Sequence, residues 1–132
     1  MNTLQKQYYY DMAKKDRLFL FYHNERKICL ITFYIDNDSK KYAREDMWSV
    51  LEDKPLTGTI CIIDHLLTDK ISHKENHKLT YLVWHHFKEH IKRNFSQVEK
   101  ILWIRVKINP ISLKRERKVY IKSLKGRFAK CI

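Results

Sequence analysis

Three segments of this chain decide its fold: residues 59–67 read TICIIDHLL, residues 76–94 read NHKLTYLVWHHFKEHIKRN, and residues 99–108 read EKILWIRVKI. The first and third are apolar runs rich in β-branched residues, which is typical of buried strands. The second carries apolar residues three and four positions apart, the spacing of an amphipathic helix. A strand, a helix and a strand joined by short links predict a parallel crossover unit.

The segments on either side of this unit complete the predicted architecture. Apolar runs at 18–22 and 27–35, separated by the polar sequence HNER, predict a β-hairpin. Residues 36–56 predict a long loop with one helical turn around 44–51. After the last strand, Asn109 precedes Pro110 and is expected to cap a short final helix. The apolar residues of that helix would be Leu113, Tyr120, Ile121 and Leu124. The pattern predicts one α/β (α+β) domain over residues 1–132, with a mixed sheet, an N-terminal hairpin, a central β-α-β crossover and a basic C-terminal helix.

Length and composition narrow the class of protein. The chain has 132 residues, 44% of them apolar, which supports one domain with one core and argues against disorder. No apolar run approaches a membrane span, and residues 1–15 lack an apolar signal segment, so we expect a cytoplasmic protein. Cys29, Cys61 and Cys131 form no CxxC pair and predict reduced, mostly buried thiols. No base is identified beside Cys61, so we do not expect a cysteine nucleophile.

The positive charge is concentrated at the C-terminus. Residues 105–132 contain ten basic residues and one acidic residue, a net charge of +9 out of +12 for the whole chain. Such a segment attracts polyanions, with a steep dependence on salt. The basic residues assigned to this role are Arg115, Arg117, Lys118, Lys122 and Lys125, with Tyr120 or Trp103 available to stack on a base. The charge leaves nucleic acid, an acidic protein and an anionic membrane face open as partners, and a solvated basic face remains the simple alternative.

Asp64 and His65 are the leading site candidates because they interrupt an apolar strand. A carboxylate there is costly unless it is paired or faces a cleft. The alternative is a structural carboxylate held by backbone N–H groups or by a basic residue such as Arg105. With side chains alternating along a strand, Cys61 is expected on the opposite face from Asp64.

The ligand edge of the crossover unit should lie between the end of the first strand and the start of the helix, over residues 68–78. Helix N-termini offer unpaired N–H groups to anions. Lys70, Lys74 and Lys78 lie in this segment and are the candidates for binding the phosphates of a cofactor. Together with Asp64, they predict a cleft over residues 64–78.

The sequence His86-Phe87-Lys88-Glu89-His90 matches the HxxEH pattern of inverzincin metalloproteases, in which two histidines bind zinc. A third ligand would have to come from Glu99 or Glu116, and the histidines share the apolar stripe of the helix. We therefore expect packed histidines and no metal site.

The order of elements, from hairpin to crossover and final helix, resembles the core of the GNAT acyltransferase superfamily over residues 17–128. Members often carry an Asn after the fifth strand, then a Tyr, a Lys and a Gly-Phe pair; Asn109, Tyr120, Lys122, Gly126 and Phe128 resemble a stretched version. By this resemblance Tyr120 would be the general acid that protonates the leaving thiolate. The superfamily's glycine-rich pyrophosphate loop has its counterpart in residues 70–77, which contain no glycine, so both acyl-CoA and another acyl donor stay open.

RTX toxin-activating lysine acyltransferases, which use acyl carrier protein as donor, offer a second resemblance. Thr57-Gly58, Ile63-Asp64 and Ile104-Arg105-Val106 are similar to that group's strand sequences, and Asp64 falls at its catalytic Asp. That family's catalytic His has no counterpart in the 16 residues before the first hairpin.

Two functions follow as expectations. The first is acyl transfer from CoA or acyl carrier protein to an amine, with Asp64 or His65 as base and Tyr120 as acid. The second is a non-catalytic binding protein that presents its basic C-terminal face to nucleic acid or an acidic protein. A homodimer through an exposed edge strand is compatible with either.

Overall fold

The computed structural model describes residues 2–37, 53–68 and 76–124, except the side chains at positions 76–78, 106, 107 and 117. Five strands form one mixed sheet in the order β1-β2-β3-β4-β5. Only β3 and β4 pair in parallel, and the other neighbours are antiparallel. The elements are α1 (Thr3–Lys14), β1 (Leu18–His23), β2 (Arg26–Asp36), β3 (Ile60–Thr68), α2 (Asn76–Asn94), β4 (Lys100–Ile108) and β5 (Arg115–Ser123). This mixed sheet with an N-terminal hairpin and a β3-α2-β4 crossover confirms the predicted fold class.

The predicted N-terminal hairpin is formed by β1 and β2. Its two turn residues, Asn24 and Glu25, both have positive φ angles, 50° and 65°. Two consecutive residues in this region are what a two-residue hairpin loop requires, because its twist then matches that of the strands. Most of the long loop predicted after the hairpin, with its helical turn, lies outside the described residues.

The main core lies on the face of the sheet that α2 covers, which we call the α2 face. Helix α2 buries one row of side chains spaced by four residues: Leu79, Val83, Phe87 and Ile91. Val83, Phe87 and Ile91 of this row form one cluster with alternate strand residues, which include Ile31, Phe33, Cys61, Ile63 and Ile101. The helical spacing read from the sequence is therefore the spacing of the buried row.

The sequence pattern did not predict helix α1. This helix lies against the opposite face of the sheet, which we call the α1 face. It contacts Thr32, whose neighbours Ile31 and Phe33 belong to the α2-face core. Because successive side chains of a strand point to opposite faces, α1 and α2 cover different sides of the sheet. A capping box begins α1: the Asn2 side chain accepts from the Gln5 N–H, and the Gln5 side chain accepts from the Asn2 N–H.

The prediction of a C-terminal helix is wrong, because β5 occupies that position as an antiparallel partner of β4. Asn109 does accept from the N–H groups of Ile111 and Ser112, as a helix cap would. Leu113 then takes a left-handed φ of 58°, which ends the turn and reverses the chain. Residues 118–122 alternate basic or aromatic side chains with Val119 and Ile121, the pattern of a strand.

The parallel strands β3 and β4 pair over only three residues each, Ile60–Ile62 with Lys100–Leu102. Both strands continue beyond that point, to Thr68 and Ile108, and no further pairing joins them within the parts of the strands that the structure describes. The sheet therefore opens into a wedge between the carboxyl ends of β3 and β4. Asp64 and His65 lie on the β3 side of this wedge.

Candidate functional site

A β-bulge in β3 places Asp64 and His65 in the wedge region. Thr32 of β2 pairs with His65, and the next residue, Phe33, pairs with Ile63, so Asp64 has no partner in the ladder. An extra residue of this kind bends the strand and redirects a side chain. The result is that consecutive residues Asp64 and His65 both contact helix α1.

The two oxygens of the Asp64 carboxyl group differ: one accepts a hydrogen bond, and the other meets no donor among the described residues. Its Oδ2 accepts a hydrogen bond from the hydroxyl of Tyr8, which also lies 2.9 Å from Oγ1 of the buried Thr32. Its Oδ1 is buried, and no donor in the described part of the chain reaches it. A buried acceptor without a partner is a position where a ligand N–H or O–H can bind.

Burial raises the pKa of Asp64 above its ordinary value, while the Tyr8 hydrogen bond and the nearby His65 ring act in the opposite direction. A carboxylate with a raised pKa is a stronger base than one in water. Burial and the neighbouring Asp64 also raise the pKa of Tyr8, so its hydroxyl keeps its proton and remains a donor.

His65 is positioned by contacts on both its backbone and its ring. Its backbone N–H donates to Oγ1 of Thr32 over 3.1 Å, and its Nδ1 lies 3.0 Å from the hydroxyl of Tyr9. The ring also packs against that of Tyr8, with centroids 4.7 Å apart. Burial and the charge of Asp64 raise the pKa of Tyr34, a further hydroxyl that contacts Tyr8. The site therefore combines a base, an imidazole and three tyrosine hydroxyls on one face.

The sequence identified Asp64 and His65 but missed Tyr8, Tyr9, Thr32 and Tyr34. The tyrosines of α1 are 56 residues away from their partners in the chain. The one sequence signal was the capping box of Asn2 and Gln5 in front of a run of tyrosines, which together indicate a helix with an aromatic face.

Tyr120 lies on the other side of the sheet from Asp64. It pairs across strands with Trp103, and the two rings stack with centroids 5.3 Å apart. Trp103 in turn packs on Trp84 of α2, so this aromatic row belongs to the α2 face. The structure thus brings Asp64 and His65 together and leaves Tyr120 across the sheet.

The structure describes only some of the residues that were predicted to bind a phosphate or a polyanion. Lys78 lies in the first turn of α2 with its side chain outside the described set, and Lys70, Lys74 and Lys125 lie outside the described residues altogether. Arg115 and Lys118 are exposed on β5, and Lys122 is partly buried beside Tyr120. The side chain of Arg117 is not described.

The HxxEH histidines pack against aromatic side chains. His86 lies 5.4 Å from the Phe21 ring, and His90 lies 5.4 Å from Phe19, between ring centroids. Burial and the neighbouring Arg93 lower the pKa of His90, which keeps its imidazole neutral. Within residues 2–37, 53–68 and 76–124, no three His, Cys, Asp or Glu side chains are grouped to hold a metal ion.

Cys29 and Cys61 are buried, unpaired thiols, as predicted, and Cys61 packs in the α2-face core opposite Asp64. Burial raises the pKa of Cys29 to about 11 and raises that of Cys61 as well, so neither is a thiolate at neutral pH. In the described part of the chain, neither helix is long and apolar enough to cross a membrane.

No protein-family model and no curated protein sequence matches this chain. Among solved structures, it is similar to the GNAT-like decarboxylase GphF in complex with isobutyryl-CoA, with a TM-score of 0.55 and 13% sequence identity. The match covers 74% of this chain and 48% of that one, so this chain spans about half the length of its structural neighbour. The fold is GNAT-like. At this identity the likeness concerns the fold alone.

Proposed function

We propose that this protein binds an acyl thioester in the wedge between β3 and β4 and transfers the acyl group to an amine, with Asp64 as the general base. One observation carries the proposal: a half-buried carboxyl group with a raised pKa has one oxygen fixed by Tyr8 and the other without a donor among the described residues. An amine N–H would supply that missing partner, and the base would then be in place to take its proton.

The transfer itself requires one bond to form and one to break. The amine nitrogen attacks the thioester carbonyl carbon, the C–N bond forms, and Asp64 accepts the proton that the nitrogen loses. The C–S bond then breaks, and the thiolate takes up a proton. The protonated Asp64 is in place to return that proton, because Tyr120, the acid that the resemblance implies, lies on the opposite face of the sheet. His65 is the alternative base, oriented by Tyr9.

The donor is a thioester of CoA or of acyl carrier protein. The structural neighbour is complexed with isobutyryl-CoA, which supports a thioester ligand for the shared fold. Lys70, Lys74 and Lys78 are placed by the sequence near the start of α2, where a donor phosphate would meet unpaired N–H groups. The net charge of +12 would also favour docking of an acidic carrier protein.

The test is release of free thiol from isobutyryl-CoA and from acylated carrier protein, measured with a panel of primary amines. Asp64→Asn should lower the rate about 100-fold to 10,000-fold, the usual contribution of a general base. Asp11→Asn, which removes an exposed carboxylate from α1, is the matched control and should keep full activity. Equal rates for the two variants would refute the role of Asp64, and no amine-dependent thiol release from either donor would refute the transfer.

The rate should also depend on pH in a definite direction. Asp64 acts as a base only when ionised, so activity should fall as the pH drops through its raised pKa. The fall should begin at a higher pH than for an ordinary carboxylate, because burial favours the protonated form. A pH profile of kcat/KM in the acid range, flat down to the ordinary range of aspartate, would contradict this assignment.

The second candidate function is binding of nucleic acid or of an acidic protein by the basic C-terminal residues. It is favoured by the alternation on β5, where Lys118, Tyr120 and Lys122 share one face. Affinity for a short single-stranded oligonucleotide should fall steeply with salt and drop in the variant R115A/R117A/K118A. Binding that is insensitive to both changes would remove this candidate.

A further inference from the structure

The α2 face carries a groove that neither proposed function uses as a whole. It lies between helix α2 and strands β4 and β5 and has a volume of about 310 Å³. Its lining residues are Thr80, Trp84, Lys88, Ile101, Trp103, Tyr120 and Lys122. It lies beside Ile101, where β4 is still paired with β3, and on the opposite sheet face from Asp64.

The groove has preformed apolar walls. Trp103 stacks on Tyr120 at an interplanar angle of 9°, and Trp84 packs on Trp103 with centroids 5.2 Å apart. All three rings are partly exposed, although Trp103 and Trp84 also border the main core. Aromatic rings fixed by one another lose little freedom when a ligand binds, and they offer a large apolar contact. A volume near 300 Å³ is within the range of small-molecule sites.

The charged side chains among the described lining residues are basic. Lys88 and Lys122 are among its lining residues, and the described residues that line it include no carboxylate. Lys88 is only 4% exposed, although it carries an ammonium group. At the outer end of the aromatic row, the Lys118 ammonium lies 5.2 Å from the centre of the Tyr120 ring. Cations beside an apolar surface interact strongly with an anion, because water screens them less there.

We propose that this groove binds an amphipathic anion, an apolar chain that ends in a carboxylate. The aromatic walls would bury the chain, and Lys122 would pair with the carboxylate at the rim. A ligand with an apolar body and one negative charge complements both properties of the groove. A cation with the same chain would meet like charges, and a neutral chain would gain the burial alone.

The experiment titrates the full chain with decanoate and follows tryptophan fluorescence, because Trp84 and Trp103 are two of the three tryptophans. Decanoate below its micellar concentration should give a saturable change. Decyltrimethylammonium, with the same chain and the opposite charge, should bind at least about tenfold more weakly. Binding should strengthen from octanoate to decanoate by up to about fourfold per methylene, the limit for complete burial of each added group.

Two variants locate the site. Thr80→Phe adds a ring to an exposed position at the groove and should abolish the fluorescence change. Lys122→Met should weaken decanoate about tenfold and remove most of the preference over decyltrimethylammonium. Lys27→Met, at an exposed position on β2, is the charge-matched control and should bind like the natural chain. Circular dichroism establishes that each variant is folded.

Three results would overturn the proposal. One is equal affinity for decanoate and decyltrimethylammonium. Another is unchanged decanoate binding in both Thr80→Phe and Lys122→Met. The third is a fluorescence response to a short oligonucleotide with none to decanoate, which would assign this face to nucleic acid. Asp64→Asn should leave decanoate binding unchanged, so loss of transferase activity in that variant does not bear on the groove.

Discussion

Around the bulge at Asp64, the two faces of strands β2 and β3 differ in the side chains that they bury. On the α2 face, Phe33 and Phe87 are fully buried and pack with ring centroids 5.6 Å apart. On the α1 face, the neighbouring Thr32 is equally buried, and its hydroxyl meets Tyr8 and the backbone of His65. Around the bulge, the α2 face therefore gains its stability from apolar burial, whereas the α1 face buries hydrogen-bonding groups. The apolar cluster of the α1 face, Ile60, Ile62 and Leu102, lies further along β3 and β4.

This difference indicates which face of a small domain can hold a reactive side chain. A buried polar atom without a hydrogen-bond partner costs stability. The α1 face has such an atom, Asp64 Oδ1, for which the described residues supply no donor. Such a penalty is commonly found at functional sites, where the missing partner is supplied by a ligand. We infer that the α2 face supports the fold and the α1 face carries the reactive group.

The largest expected effect is on the α2 face. Phe87→Ala removes a fully buried ring that packs on Phe19, Phe33 and Trp84. The free energy of unfolding should fall by about 3–5 kcal/mol, because the lost burial and the cavity both contribute. Urea denaturation followed by circular dichroism measures the change. A loss below about 1 kcal/mol would show that this face is not the main source of stability.

A smaller effect is expected on the α1 face. Tyr8→Phe keeps the ring but removes the donor to Asp64 Oδ2, so neither carboxyl oxygen then has a donor among the described residues, which should cost about 1–3 kcal/mol of unfolding free energy at neutral pH. Tyr10→Phe changes a tyrosine that is 67% exposed two positions along the same helix, and should change stability by less than about 0.5 kcal/mol. Equal losses in the two variants would contradict the pairing of Tyr8 with Asp64.

The Tyr8 effect should also depend on pH. The Tyr8 hydrogen bond favours the ionised form of Asp64, so its removal raises the pKa of that carboxyl group further. A group whose pKa is raised by folding costs stability once the pH exceeds its unfolded value, and the cost grows up to the folded pKa. The loss in Tyr8→Phe should therefore be larger at pH 8 than at pH 4, as measured by urea denaturation at both values.

The sequence predicted the α2 face well because that face is built from periodic apolar residues. Helix α2 has the predicted bounds, and both crossover strands lie where their apolar runs are. Asp64 was also predictable as a candidate, since a carboxylate within the run ICIIDHLL is conspicuous. What a local pattern could not show was the bulge at Asp64, because it depends on the pairing with β2.

Helix α1 and strand β5 were missed for physical reasons. Helix α1 has one buried apolar residue, Met12, and attaches through hydroxyl groups, so it has no apolar stripe to detect. Strand β5 has alternating residues that fit a strand, but Asn109 before Pro110 is also a helix start signal. Leu113 takes a left-handed conformation between Asn109 and β5, and a leucine gives no sequence sign of it.

The smallest expected effect separates the two faces at adjacent positions of one edge strand. Phe21 is 8% exposed and packs on the α2 face against His86, whereas Tyr22 is 56% exposed on the other side of β1. Tyr22→Ala should change the free energy of unfolding by about 0.5 kcal/mol or less, and Phe21→Ala should cost at least about 2 kcal/mol. A large loss for Tyr22→Ala would mean that the α1 face of β1 is covered in solution. The contrast between the apolar α2 face and the hydrogen-bonded α1 face would then not extend to the edge of the sheet.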